Sequence, residues 1–159
     1  MSLDSDIALL KRVPLFSDLP TEQLRLLAFS AVRLDLAADQ VLFRQGARAM
    51  TGYVVSSGAL ELSVGERPAR RVVATCEVGA LVGEIALFVE TRRPATGIAL
   101  VTSQVIEIDR KQILRMLGEY PHIALRLRAI LAERLTATVT ELGRVRQALT
   151  GVSRRPSRR

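Results

Sequence analysis

The alternation of apolar and polar residues divides the chain into a helical start, a strand-rich centre and a helical end. Residues 6–15 have the spacing of a short helix that is disturbed near Pro14, and Pro20 suits the first turn of a second helix. From about Ala31 the period changes to two, which is typical of half-buried strands. The strand-like runs, most of them bounded by glycine, are 32–36, 41–43, 53–55, 59–64, 72–76, 97–101 and 104–108.

Seven or eight short strands at nearly even spacing predict one mainly β domain. We expect an antiparallel β jelly-roll barrel (a double-stranded β-helix) with N-terminal helices and two C-terminal helices, of which the last is long. The domain is assigned to residues 1–151, and residues 152–159 are expected to form a disordered basic tail.

The end of the chain carries the pattern of two helices. Asp109 caps the first, which Gly118 closes, and Pro121 opens a long helix of about residues 121–149. This helix can pack on its own barrel, but its apolar stripe is narrow and its length exceeds what the domain can cover. We therefore expect a homodimer that pairs through this seam. The seam residues, at spacings of four, three, four, three and four, are Leu131, Leu135, Thr138, Leu142, Val145 and Leu149.

The positive charge of the chain lies largely in its tail. The formal net charge is +7, and the last eight residues hold four arginines and no acid, so the remainder has 7 − 4 = +3. With aromatic residues at 4%, this argues against a nucleic-acid-binding face. Binding of DNA by the tail is kept as a weaker alternative, because such a tail gives only salt-sensitive, non-specific contact.

The inventory of reactive side chains excludes most kinds of catalytic site. The chain has one cysteine, Cys76, and one histidine, His122, with no second metal ligand or general base suggested near either. We expect no enzyme activity and no metal site. One cysteine and an acidic N-terminus without a signal peptide indicate a cytoplasmic protein. No apolar run approaches 18 residues, so no membrane span is expected.

The residues best suited to bind a ligand lie in segment 83–96, GEIALFVETRRPAT. Gly83 and Glu84 open this largely apolar segment, and Arg93 follows. A helical turn after Gly83 would present N–H groups to an anion, and Arg93 could add a guanidinium to the same anion. Glu84 could then accept from a hydroxyl group, which would suit a ligand with a phosphate and a sugar. The alternative is that Glu84 and Arg93 simply pair with each other.

This segment resembles the phosphate-binding cassette of the cyclic nucleotide-binding domain family. The matching residues are 83–87 (GEIAL) and 93–96 (RPAT), at the spacing of the family. A second family signature matches Gly46, Tyr53, Val55 and Gly58. The resemblance covers about residues 7–149 and extends to catabolite activator and cAMP-dependent kinase regulatory proteins, but without an expected DNA-binding domain in residues 1–159.

The resemblance implies a role for each matching residue. Glu84 would accept a hydrogen bond from the ribose 2′-hydroxyl, and Arg93 would pair with the phosphate oxygens. The remaining candidate ligand-binding residues are Gly83 with the N–H groups of Ile85 and Ala86 around ribose and phosphate, Pro94 and Ala95 in the rest of the cassette, Val73 and Leu81 against base and sugar, and Thr138 at the adenine.

Pro94 departs from the family pattern, because the residue after the phosphate-binding arginine usually donates its N–H to the phosphate and proline has none. A lost bond of this kind costs about 1 kcal/mol, or about 1.5–3 kcal/mol to a charged acceptor. The hydroxyl that favours guanine is also missing, so cAMP is favoured over cGMP. We expect a non-enzymatic sensor that signals through its C-terminal helices to an unidentified downstream protein. The alternative is a binding-deficient module for dimerisation or protein interaction.

Overall fold

A computed structural model describes residues 2–126, 128–129 and 132–133 of the chain. The chain divides into two units between Tyr120 and Pro121, and the fold and the candidate site lie in the first. The helices of this unit are α1 (Leu3–Lys11), α2 (Thr21–Ser30), the short 3-10 helix Glu84–Leu87, and α3 (Arg110–Glu119). The strands are β1 (Val32–Leu36), β2 (Val41–Phe43), β3 (Arg48–Ala49), β4 (Thr51–Ser57), β5 (Leu60–Val64), β6 (Arg71–Cys76), β7 (Leu81–Val82), β8 (Thr91–Arg92), β9 (Thr96–Ala99) and β10 (Ser103–Asp109).

The helix ends follow from capping residues. Ser2 accepts a hydrogen bond from the N–H of Ser5, so α1 begins earlier than predicted, and it ends before Pro14, which cannot continue a helix. Pro20 occupies the N-cap of α2 and not its first turn. The predicted cap of α3 is confirmed, because the Asp109 carboxylate accepts from the N–H of Lys111 at 2.8 Å.

All strand pairs are antiparallel, which confirms the mainly β prediction with flanking helices. The strand orders are β1-β10-β4-β7, β2-β9-β5-β6 and the small pair β3-β8. These ladders do not join into a closed barrel among the described residues, so the predicted barrel is corrected to separate sheets. Register shifts in β2, β5 and β10 interrupt the regular pairing.

Strand β4 lies at the centre of the fold, because other parts of the chain pack against both of its faces. Tyr53 and Val55 pack in a core cluster with residues of the neighbouring strands. On the opposite face, a side chain at Gly52 would lie 3.1 Å from Leu87, so the 3-10 helix packs closely on this strand. The 3-10 helix and the residues that follow it are therefore positioned by the core.

The predicted long helix lies mostly outside the described residues. Residues 121–126, 128–129 and 132–133 are helical. The predicted seam from Leu131 to Leu149, including Thr138, lies outside the described residues, as does the basic tail.

Candidate functional site

The cassette predicted from the sequence is a turn between two short strands. Strand β7 pairs with β4, with Leu81 opposite Val54 and Val82 opposite Tyr53. Gly83 follows with φ +77°, a left-handed conformation that residues with a side chain rarely adopt, and it caps the 3-10 helix. The chain then returns through β8 to Arg93.

The two family signatures meet at the backbone of Arg93. Its N–H donates to the carbonyl of Ala47 at 2.8 Å, and its carbonyl accepts from the N–H of Gly46 at 2.8 Å. Strand β3 pairs with β8 beside these bonds, with Arg48 opposite Arg92. The bond from Gly46 in one signature therefore fixes the position of the Arg93 backbone in the other.

The Arg93 side chain is buried although it is charged. Only 5% of the residue is exposed. Its Nη2 donates to Thr51 Oγ1 at 3.1 Å, whereas the buried Nη1 has no hydrogen-bond partner among the residues that the structure describes. A buried N–H without a partner is costly, and an anion that accepted from it would remove that cost.

Aromatic rings support the same guanidinium. The Cζ atom of Arg93 lies 4.6 Å from the ring centre of Phe43 and 5.3 Å from that of Tyr53. Burial lowers the pKa of Arg93, and the charges of Tyr53 and Glu107 oppose this shift. Because the ordinary pKa of arginine lies far above neutral pH, the group stays cationic there.

A cavity of about 310 Å³, here called the cassette cavity, opens in front of this arginine. Its wall is mostly apolar, with polar groups concentrated on the cassette side. The lining residues are Ala49, Leu62, Cys76, Leu81, Val82, Gly83, Glu84, Ile85, Ala86, Thr91, Arg92, Arg93 and Pro94. An apolar wall with a few convergent polar groups is typical of a small-molecule site.

The structure brings seven of the candidate ligand-binding residues together in this lining: Leu81, Gly83, Glu84, Ile85, Ala86, Arg93 and Pro94. Ala95 is buried and does not belong to the lining. Thr138 lies outside the described residues. The ligand contacts assigned to these residues stay predictions.

Val73 is not part of the cavity wall. It lies on β6, an edge strand, and 51% of it is exposed. The register shifts at this point, because Leu62 pairs with Ala74 while Ser63 pairs with Val72. The strand contributes Cys76 to the wall instead, and burial raises the pKa of this thiol.

The 3-10 helix uses one of the N–H groups that the resemblance assigned to ribose and phosphate. The N–H of Ala86 donates to the carbonyl of Gly83 at 3.2 Å. Glu84 is half-buried at the start of this helix and faces the cavity among the lining residues. The polar contribution of the cassette therefore comes mainly from Arg93 and Glu84.

Sequence reasoning missed four residues that shape the site: Thr51, Leu62, Cys76 and Arg92. Thr51 lies two positions before Tyr53, so strand alternation places both on one face of β4. Leu62 follows Leu60 in the same way on β5. Arg92 is exposed, lines the cavity and donates from Nη1 to the carbonyl of Gly46 at 2.9 Å.

A second, larger cavity of about 530 Å³ differs in character, and we call it the arginine groove. Arg44 and Arg67 are exposed in it, and Arg70 forms an ion pair with Glu61. The groove is lined by Asp39, Val41, Arg44, Gln45, Ser63, Gly65, Glu66, Arg67, Arg70, Thr96 and Ile98.

The described part of the chain holds neither a membrane-spanning helix nor a cluster of metal ligands. No helix within it is both long and apolar enough to cross a membrane. Within the same residues, no group of three or more His, Cys, Asp and Glu side chains is arranged to hold a metal ion.

Comparison with known proteins identifies the family. The chain is 33% identical over 110 residues to the HTH-type transcriptional regulator Cmr of Mycobacterium tuberculosis, which covers 69% of this chain and 45% of that protein. It is 29% identical over 136 residues to the Cyclic AMP receptor protein of Thermus thermophilus, covering 84% of this chain and 62% of that protein. The chain thus spans less than two thirds of the length of both regulators.

A solved structure of a cyclic nucleotide-binding-like protein from Brucella abortus superposes with a TM-score of 0.67 at 39% identity, covering 72% of this chain and 99% of that chain. The family model of the cyclic nucleotide-binding domain matches residues 33–120, which include β1 to α3 and the whole cassette. The chain belongs to the cyclic nucleotide-binding domain family.

Proposed function

We propose that this chain is a non-enzymatic cytoplasmic sensor that binds a 3′,5′-cyclic nucleotide, with cAMP preferred over cGMP, in the cassette cavity. The observation that carries the proposal is the buried Nη1 of Arg93, a cationic donor without a partner in the cavity wall. A cyclic phosphodiester carries one negative charge and would satisfy this donor.

The other walls fit the remainder of such a ligand. Glu84 lies in the same lining as Arg93, so its carboxylate would accept from the ribose 2′-hydroxyl. Leu62, Leu81 and Cys76 supply an apolar surface for the sugar and base. The preference for cAMP is supported by Pro94, which has neither an N–H nor a hydroxyl for guanine, and by the relationship to a Cyclic AMP receptor protein.

Signal output forms a further part of the proposal. Binding would shift the equilibrium of the C-terminal helices only if the two arrangements contact the ligand differently. The spacing of apolar residues over 121–149 supports a homodimer that presents this change to a downstream protein. Sedimentation of wild type and Leu135→Glu tests the dimer, because a charge on the seam should yield monomers. A wild-type monomer would contradict it.

The second candidate function is a binding-deficient module, and Pro94 is the observation that favours it. Calorimetric titration of the wild type with cAMP, cGMP and adenosine separates the two candidates. The sensor predicts saturable heat with cAMP, weaker binding of cGMP and loss of cAMP binding in Arg93→Ala. The absence of heat and of any thermal shift at millimolar nucleotide would refute the sensor and favour the module.

A further inference from the structure

We propose that Phe43 and Tyr53 form an aromatic platform that positions the Arg93 guanidinium for the phosphate, and so act as positioning residues for anion binding. This inference rests on the proposed function, because it concerns the same cavity. Neither ring belongs to the cavity lining, so neither is placed to contact a ligand there directly.

The two rings form a continuous surface under the guanidinium. Their centres are 5.8 Å apart and their planes differ by 18°, a stacked pair. The Cζ atom lies 4.6 Å from one ring centre and 5.3 Å from the other, so the three centres form a triangle and the cation rests on both rings. A desolvated cation in this arrangement is stabilised by the ring quadrupoles.

Close contacts with Gly97 and with the core cluster fix the positions of the two rings. A side chain at Gly97 would lie 2.7 Å from the Cζ of Phe43, so the ring keeps its present position over β9 because residue 97 is glycine. Tyr53 is fixed in the core cluster, and its hydroxyl interacts with Thr51 and Glu107. Platform and core are therefore one packed unit.

Three contacts together restrict the guanidinium. The rings cover one face, Thr51 holds Nη2, and Gly83 lies so close that a side chain there would stand 2.5 Å from Nη1. With Nη2 held by Thr51, the two hydrogens of Nη1 lack an acceptor among the described residues. The arginine is thus oriented before a ligand arrives, which reduces the entropy cost of binding.

The test compares Phe43→Leu, which removes the π-face, with Phe43→Tyr, which retains it. Leu34→Ala is the matched stability control, because Leu34 packs against the same core cluster from β1. We expect Phe43→Leu to weaken cAMP binding by about 2- to 30-fold. Adenosine, which lacks the phosphate, should bind Phe43→Leu and the wild type with equal affinity. Phe43→Tyr should bind cAMP normally, and Leu34→Ala should lose thermal stability without an anion-specific effect.

Unchanged or tighter cAMP binding in Phe43→Leu would overturn the inference, as would equal losses for cAMP and adenosine. A wild type that binds no cyclic nucleotide would refute the proposed function, and a second readout then decides the inference. In ¹⁵N NMR, the Arg93 Nε–Hε signal of the ligand-free wild type should show a ring-current shift that is lost in Phe43→Leu and kept in Phe43→Tyr. Absence of that shift in the wild type overturns the platform.

Discussion

The cassette cavity and the arginine groove differ in size, in the number of their arginines and in how far those arginines are paired or exposed to water. The groove is larger, about 530 Å³ against about 310 Å³, and holds three arginines. Two of these are exposed to water and the third is paired with Glu61. In the cassette cavity one arginine is 5% exposed and keeps a donor without a partner.

The difference lies in what an anion gains on binding. An exposed guanidinium is already hydrated and screened, so a new ion pair gains about 0–1 kcal/mol. A buried donor without a partner has lost its water and recovers a larger free energy when an acceptor arrives. We therefore expect a site for a single phosphate where a buried donor lacks an acceptor inside a small cavity. Variants of the two cavities test this contrast.

The largest effect is expected from Arg93→Met. Removing one partner of a buried charge pair costs about 2–5 kcal/mol, so cAMP affinity should fall roughly 30-fold or more. The ligand-free protein should melt no lower than the wild type, because methionine fills the space over the rings and removes a buried charge. Arg44→Met in the arginine groove is the matched control, with a loss of at most about fivefold. Titration and melting curves that show equal effects at both positions would erase the contrast.

The next effect is expected from Gly83→Ala. A left-handed conformation costs a residue with a side chain about 1–3 kcal/mol, and here the new Cβ would also meet Nη1 at 2.5 Å. The free energy of unfolding in denaturant should drop by that amount, and cAMP affinity should fall with it. Gly118→Ala in α3 is the control, because open space surrounds that position and alanine favours the helix. A stable Gly83→Ala with normal affinity would show that Gly83 does not orient the arginine.

Pro94→Ala should act in the opposite direction. The alanine restores an N–H at the exposed mouth of the cavity, and one added hydrogen bond of about 1 kcal/mol gives roughly fivefold tighter cAMP binding. Pro20→Ala at the start of α2 controls for the general effect of losing a proline. Calorimetry that finds unchanged or weaker binding would mean that the phosphate does not approach position 94.

The smallest effect concerns alkaline pH. Burial raises the pKa values of Cys76 and Tyr53, so the folded state holds these protons more tightly than the unfolded chain. Stability should therefore be full below the unfolded values and decline as pH rises above about 8.5 for the thiol and about 10 for the phenol. Melting curves between these pH values should flatten in Cys76→Ala and, at the upper end, in Tyr53→Phe. A wild type that gains stability over this range would contradict the sign.

Local patterns in the sequence predicted the strands and the cassette well, because both depend on neighbouring residues. Alternation identified β1, β2, β5 and β6 within one or two residues. It could not reveal that the ladders stop short of a closed barrel, since pairing at sheet edges is not encoded in the period of one strand. The two-residue strands β3 and β8 are too short to show any period.

The candidate site likewise contains residues that the sequence predicted and residues that it did not. Gly83, Glu84 and Arg93 could be predicted from the sequence because one short segment carries all three. Leu62, which lines the cavity, and Thr51, which accepts a hydrogen bond from Arg93, were missed because they lie on strands distant in the sequence, and only the folded register brings them to the site. The family resemblance assigned Val73 to the wall, but the register shifts beside Ser63 and the strand contributes Cys76 to the lining instead.

The backbone bond from Gly46 to the Arg93 carbonyl makes one amide proton an internal reporter. The neighbouring Gln45 also links outward, since its side-chain oxygen accepts from the N–H of Gly65 at 2.9 Å. A ligand that pulls on the guanidinium would tighten this chain of bonds, so deuterium uptake at Gly46 should slow first and that at Gly65 next. Under the proposed function, these two glycine amides would report whether the cavity is occupied.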